Sequence, residues 1–205
     1  MTTHKKSAPS AVFTSASSYQ NRSKQQKAPT AGAQPNFCKN GAMTAPTHSP
    51  RAPRYWLMKS EPEECSIDDA LAAPSATVPW TGVRNYQARN FMRDDMRVGD
   101  GVLFYHSSSK ETGIAGIARV ASGTRVDPTQ FDPTSPYCDP KSTPDKPRWL
   151  LLDVQALRKT RVLGLTELRE QPALANMRVL QRGNRLSITP VEPGEWDVIT
   201  QRLSI

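Results

Sequence analysis

Arg54-Tyr55-Trp56-Leu57-Met58-Lys59-Ser60 is where the chain changes character. Aromatic and aliphatic residues run together for the length of one strand, so the stretch reads as β structure. What precedes it is different. Residues 1–53 hold seven basic residues and no acid, among many Ser, Thr, Ala, Pro and Gln. Val12, Phe13, Tyr19 and Phe37 are too scattered to make an apolar face. Such a segment cannot bury enough apolar area to offset chain entropy, and a disordered N-terminal tail is expected. Three readings of that tail stay open: a solvated extension, an organellar transit peptide, or residues upstream of a true start at Met43.

Downstream of Ser60 the signals alternate between short helices and strands. Ser66 followed by Asp69 is a capping-box start for a helix over 66–73. Residues 86–95 follow the loop Trp80-Thr81-Gly82-Val83-Arg84-Asn85 and read as a second helix. Gly99-Asp100-Gly101 is a turn into a strand ending at His106. Residues 113–122 alternate small and branched side chains, as a strand close to another backbone would. Residues 127–148 are Pro-rich and read as a long loop. Residues 149–162 read as one long strand, and Thr166 as the cap of a third helix. A short strand over 186–191 and a helix over 193–203 close the chain. Strands outnumber helices. The expected fold is α+β: a small β-barrel or strongly bent sheet with short helices between strands, in one domain over 54–205.

The chain has 205 residues and a mass of 22.7 kDa, enough for one domain with an appendage. Its longest apolar runs, 102–105 and 149–152, fall far short of the roughly 20 residues of a membrane span. Three cysteines, Cys38, Cys65 and Cys138, form no CxxC pair. A disulfide scaffold or thiolate zinc site is therefore not expected, and a reducing compartment fits: cytoplasm, or nucleus or organelle in a eukaryote. The net charge of +8 suggests a nucleic-acid partner only if it lies on the folded part. It does not. Residues 54–205 hold twenty basic and nineteen acidic residues, so the excess belongs to the tail.

Several motifs together resemble the EVE domain. They are Tyr55 through Pro62, Trp80 through Asn90, Val98-Gly99-Asp100 with Leu103 through Ser107, Phe131-Asp132-Pro133, Tyr137 with Lys141-Ser142, Pro147-Arg148-Trp149, and Arg182-Gly183 with Arg185-Leu186-Ser187. Cys138 departs from the pattern, because relatives often carry a second aromatic there. The resemblance implies a PUA-like twisted β-barrel related to the YTH and ASCH domains. It also implies recognition of modified bases, modified cytosine in DNA above all, through a pocket for a flipped-out base. The partner is then a nucleic acid, DNA or RNA. No cofactor and no membrane are implied. A monomer is expected, with any effector enzyme encoded separately.

A flipped base needs a flat wall for its face and directed polar groups for its edge. Trp80 is the candidate wall, with core packing as the competing reading. Ser60 and Glu61 end the first strand and are candidate edge readers, since a carboxylate accepts from the amino group of cytosine. Lys59 is a candidate phosphate contact or a solvated strand residue. Val83, Arg84 and Asn85 lead into a helix, where backbone N–H groups attract anions and Arg84 adds a fork of donors. Asn85 reads equally as an N-cap. Tyr105 and His106 point to opposite faces of their strand, so one of them at most enters a given cavity. His106 is favoured as a polar pocket group over a structural histidine. Arg182, Gly183 and Arg185 form a basic turn suited to phosphate or to a structural ion pair.

An enzyme finds little support. HExxH, P-loop and GxSxG patterns are missing. Asp139-Pro140-Lys141 has the acid-x-Lys spacing of magnesium-dependent nucleases, with Asp127 or Asp132 as a possible second acid, but acid-capped turns have the same composition. The readings to be separated are a modified-cytosine reader, a binder of modified RNA or of a free nucleoside, and a magnesium-dependent nuclease.

Overall fold

The first strand, β1 (Tyr55–Ser60), sorts its side chains between two apolar clusters. Trp56 and Met58 enter one, and Leu57 enters the other. A sheet with two buried faces needs cover on both, and the short helices and loops supply it. The structure, a computed structural model, describes residues 51–204. Residues 1–50 of the expected tail lie outside the described residues.

The capping box expected for α1 (Ile67–Ala72) is present. Ser66 Oγ accepts from the Asp69 N–H at 3.1 Å, and the Asp69 carboxylate accepts from the Ser66 N–H at 2.9 Å. β2 (Thr77–Pro79), absent from the sequence reading, follows. Asn85 caps α2 (Tyr86–Asn90), which continues as a π turn over Phe91–Asp95. β3 (Gly101–His106) and β4 (Gly113–Val120) form an antiparallel pair. Arg51 donates to Asp100 at 3.1 Å, ahead of the first strand. Asp100 is buried and also accepts from the Trp56 indole.

The stretch 149–162 is not one strand. β6 (Leu150–Leu151) pairs with β5 (Arg125–Val126) in a small second sheet, and β7 (Asp153–Gly164) joins the main one. The two parts take different partners: the Trp149 carbonyl, ahead of β6, accepts from the Asp127 N–H beside β5, and the Leu152 carbonyl, ahead of β7, accepts from the Trp80 N–H beside β2. α3 (Leu165–Arg169) is capped by Gly164 rather than Thr166. β8 (Ile188–Val191) and α4 (Pro193–Arg202) end the domain, with Trp196 stacked on Tyr55 at 4.4 Å.

The main sheet runs β2-β7-β4-β3-β1-β8. β1 and β3 are parallel, which the α1–β2–α2 crossover permits, and the other ladders are antiparallel. The β4–β7 ladder shifts register at Ile114/Gly116 and at Ile117/Ala118, and such bulges bend a sheet. Gly116 permits the close approach: a Cβ there would lie 2.7 Å from the Arg158 carbonyl oxygen. Among the described residues no ladder joins the edge strands β2 and β8. The curled sheet is thus left with a seam. No helix among the described residues is long and apolar enough to cross a membrane.

Candidate functional site

The seam holds a cleft of about 660 Å³, bordered by residues that leave both edge strands. That volume lies within the roughly 300–1,000 Å³ of small-molecule sites. One side is the turn after β2. The Trp80 N–H donates to the Leu152 carbonyl at 2.8 Å, which fixes where the indole starts. The residue is 7% exposed, and its ring meets Phe104 edge-on at 5.2 Å. Trp80 therefore packs into the core with one part of its ring and borders the cleft with another. Core packing and a place on the cleft border are thus compatible at this position.

Gly82 follows with φ +77°. A Cβ there would fall 2.8 Å from Tyr137 Cζ, so the Tyr137 ring covers the glycine. The Gly82 N–H donates to Asp127 at 3.1 Å, and Arg84 donates to the same carboxylate oxygen at 2.8 Å. Burial opposes the charge of Asp127. The bonds from Arg84, Thr129 and Gly82 outweigh it and hold the carboxyl below the ordinary carboxylate range.

The other side is the end of β1. Ser60 Oγ donates to the Cys65 carbonyl at 2.7 Å, which draws the loop 61–65 around the opening and leaves the hydroxyl free to accept. Glu61 is exposed at the rim. Glu64 accepts from the Tyr137 hydroxyl, which straps this loop to the long loop across the cleft. Burial, then the Glu64 bond, push the Tyr137 phenol up to about 12. Lys59 is half-buried, and desolvation lowers its pKa. Its N–H donates to the Ser187 carbonyl at 2.8 Å, so the approach to β8 completes the border with Arg185 and Ser187.

Lys59, Ser60, Glu61, Trp80 and Val83 all border the cleft. Arg84 does not. Its guanidinium is clamped by Asp127, the Tyr137 carbonyl and Thr129, and lies 5.6 Å from the Trp149 ring centroid. It has become a strut beneath the Trp80 turn. Asn85 is the α2 cap, accepting from Gln87 and Ala88 N–H groups. Tyr105 packs in the second apolar cluster, on the opposite face of β3 from Phe104. Arg182 is exposed outside the cleft border, whereas Arg185 borders the cleft.

His106 is held as structure. Its Nε2 accepts from the Ile67 N–H at 3.1 Å, which satisfies the start of α1 and places the proton on Nδ1. Burial lowers its pKa. Because the unfolded chain protonates first, the His106 contribution is complete above about pH 6.5 and falls as pH drops through the lowered folded value. Thermal melts are expected to show this loss between about pH 7 and 5. His106→Gln, which keeps an acceptor without that titration, is expected to flatten the profile over the same range.

Tyr137 was not singled out as a site residue from the sequence, and Arg185 was named only as part of a basic turn. Tyr137 carries no local signal, because its partners Gly82 and Glu64 are distant in the chain.

The acids of the nuclease reading are engaged by the fold. Asp139 accepts from the Lys141 N–H, the Trp149 indole and Arg148, and these bonds hold it at about 2. Asp132 caps its own turn through Thr134. Among the described residues no three His, Cys, Asp or Glu side chains gather as a metal-holding group.

A curled mixed sheet, short helices on both faces and a cleft in its seam define a PUA-like domain. The chain belongs to the EVE domain family, which matches residues 54–202. Thymocyte nuclear protein 1 of Homo sapiens is 42% identical over an alignment of 163 residues, covering 71% of this chain and 72% of the human protein. A crystal structure of a Pseudomonas putida protein shares 49% identity and covers 72% of this chain and 97% of its own, with a TM-score of 0.68. Human THYN1 protein in complex with 5-methylcytosine containing DNA is similar at 40% identity, covering 74% of this chain and 98% of that one, with a TM-score of 0.70.

Proposed function

We propose that the chain is a non-enzymatic reader of modified cytosine in DNA that takes a flipped-out base into the seam cleft. One observation carries this: Trp80, fixed by core packing, borders the cleft opposite the unpaired carboxylate of Glu61 at the end of β1. Among the described residues Glu61 makes no ion pair, so it is free to accept from an amino group. An amino-bearing pyrimidine suits that carboxylate, and an oxo-bearing one repels it. A 5-methyl group suits the apolar border of Trp80, Val78 and Val83. The bound human relative supports DNA as the partner class.

The two contacts divide the work. Burying one methyl contributes about 0.8 kcal/mol, so the preference for methylated over plain cytosine is expected to be about fourfold. The amino group is read by Glu61. Glu61→Gln is expected to weaken binding of the methylcytosine duplex by about tenfold, because a charge-assisted bond becomes a neutral one. Titration of both proteins with matched duplexes checks this, and unchanged affinity in Glu61→Gln removes Glu61 from the site. The near-neutral domain favours a second reading, a modified RNA or a free nucleoside. Tighter binding of those ligands in the same titration would select it.

A further inference from the structure

We infer that the loop from Arg178 to Ser187 is the phosphate-binding edge of the site, gripping the DNA backbone beside the cleft. This rests on the DNA reading for its partner, but it concerns a surface outside the base pocket. Residues 171–191 contain three arginines, Arg178, Arg182 and Arg185, and no acid. All three are exposed, and among the described residues none makes an ion pair. Arginines that brace the fold look different: Arg125 forks onto Asp153, and Arg161 onto Glu167.

The loop is built to hold its shape. Asn184 Nδ2 donates to the Arg178 carbonyl at 2.6 Å, and Asn184 Oδ1 accepts from the Leu186 N–H at 3.0 Å. Gly183 turns the chain with φ +81°. The Lys59 N–H ties the end of the loop to β1. Three like charges on a pinned loop repel one another and are relieved by an anion. Arg185 borders the cleft, so the anion nearest it is the backbone phosphate of a nucleotide whose base has entered. Arg178 and Arg182 then meet phosphates further along the strand. The loop gains little disorder to lose on binding, which favours contact.

The test is the salt dependence of binding by the full chain to a short unmodified duplex and to the same duplex with 5-methylcytosine. Each phosphate contact contributes close to one unit of slope in log affinity against log salt. Arg178→Ala with Arg182→Ala is expected to lower the slope by about two units on both duplexes and to leave their affinity ratio unchanged. The lysine pair at the same positions is expected to restore the slope. Both residues are exposed, and matched melting curves identify any folding defect. An unchanged slope in the alanine pair, or wild-type binding without salt dependence, overturns the inference. Equal affinity for the two duplexes with the slope still falling defeats the base reading alone and leaves the phosphate edge standing.

Discussion

Trp80→Ala is expected to abolish preference for the modified base and to destabilise the domain by about 3–5 kcal/mol, as removal of buried aromatic rings does. Both effects have one cause. The ring packs edge-on against Phe104 and borders the cleft, so deleting it opens a core void and removes the wall together. A domain has only about 5–15 kcal/mol to lose, so binding must be measured where melting curves show the variant folded. Weak, salt-controlled binding to DNA is expected to remain, because the arginines of the 178–185 loop are untouched. Trp80→Phe keeps an aromatic face and is expected to retain part of the preference. A folded Trp80→Ala protein that still prefers the modified duplex would remove Trp80 from recognition.

Asp127→Ala is the second large effect. Asp127 is fully buried and ties the Gly82 N–H, Arg84 and Thr129 into one knot behind the Trp80 turn. Removing it takes the countercharge from Arg84, which keeps the Tyr137 carbonyl and Thr129, and leaves the Gly82 N–H without its acceptor, a loss of about 3 kcal/mol. The turn carrying Trp80 loosens, so modified-base preference is expected to fall with stability. The acid side of the pH profile carries the same signature. Because the folded carboxyl lies below its unfolded value of about 3.9, its contribution is complete above about pH 4 and is lost as pH falls through the folded value. Asp127→Asn is expected to lose less stability than the alanine and to show a shallower acid limb. An alanine variant with wild-type melting temperature and preference would mean that the knot does not hold the turn.

Local patterns made much of the fold legible. β1 followed from seven residues, α1 from Ser66 and Asp69, and α4 was expected over 193–203. Each is decided within one or two turns of chain. The division of 149–162 was not legible, since it depends on its two parts pairing with different strands, β5 on one side and β2 and β4 on the other, that are distant in the chain. The same limit explains the site. Ser60, Glu61 and Trp80 could be placed at the cleft border because strand ends and glycine turns mark openings. Arg84 and His106 were expected to face a ligand because their chemistry permits it. Their partners, Tyr137, Asp127 and Ile67, are 39 to 53 residues distant, and no local pattern announces them. The charge total misled in its own way. A near-neutral balance conceals local charge: Arg178, Arg182 and Arg185 lie exposed within a stretch that holds no acid.

On the proposed function, the seam cleft distinguishes a modified cytosine from a plain one. The direct measurement is the affinity of the full chain for two duplexes identical except for one 5-methylcytosine, at a single fixed salt concentration. Tighter binding of the methylated duplex by about fourfold or more, lost in Trp80→Ala, is the predicted result. Equal affinity for both duplexes would contradict it.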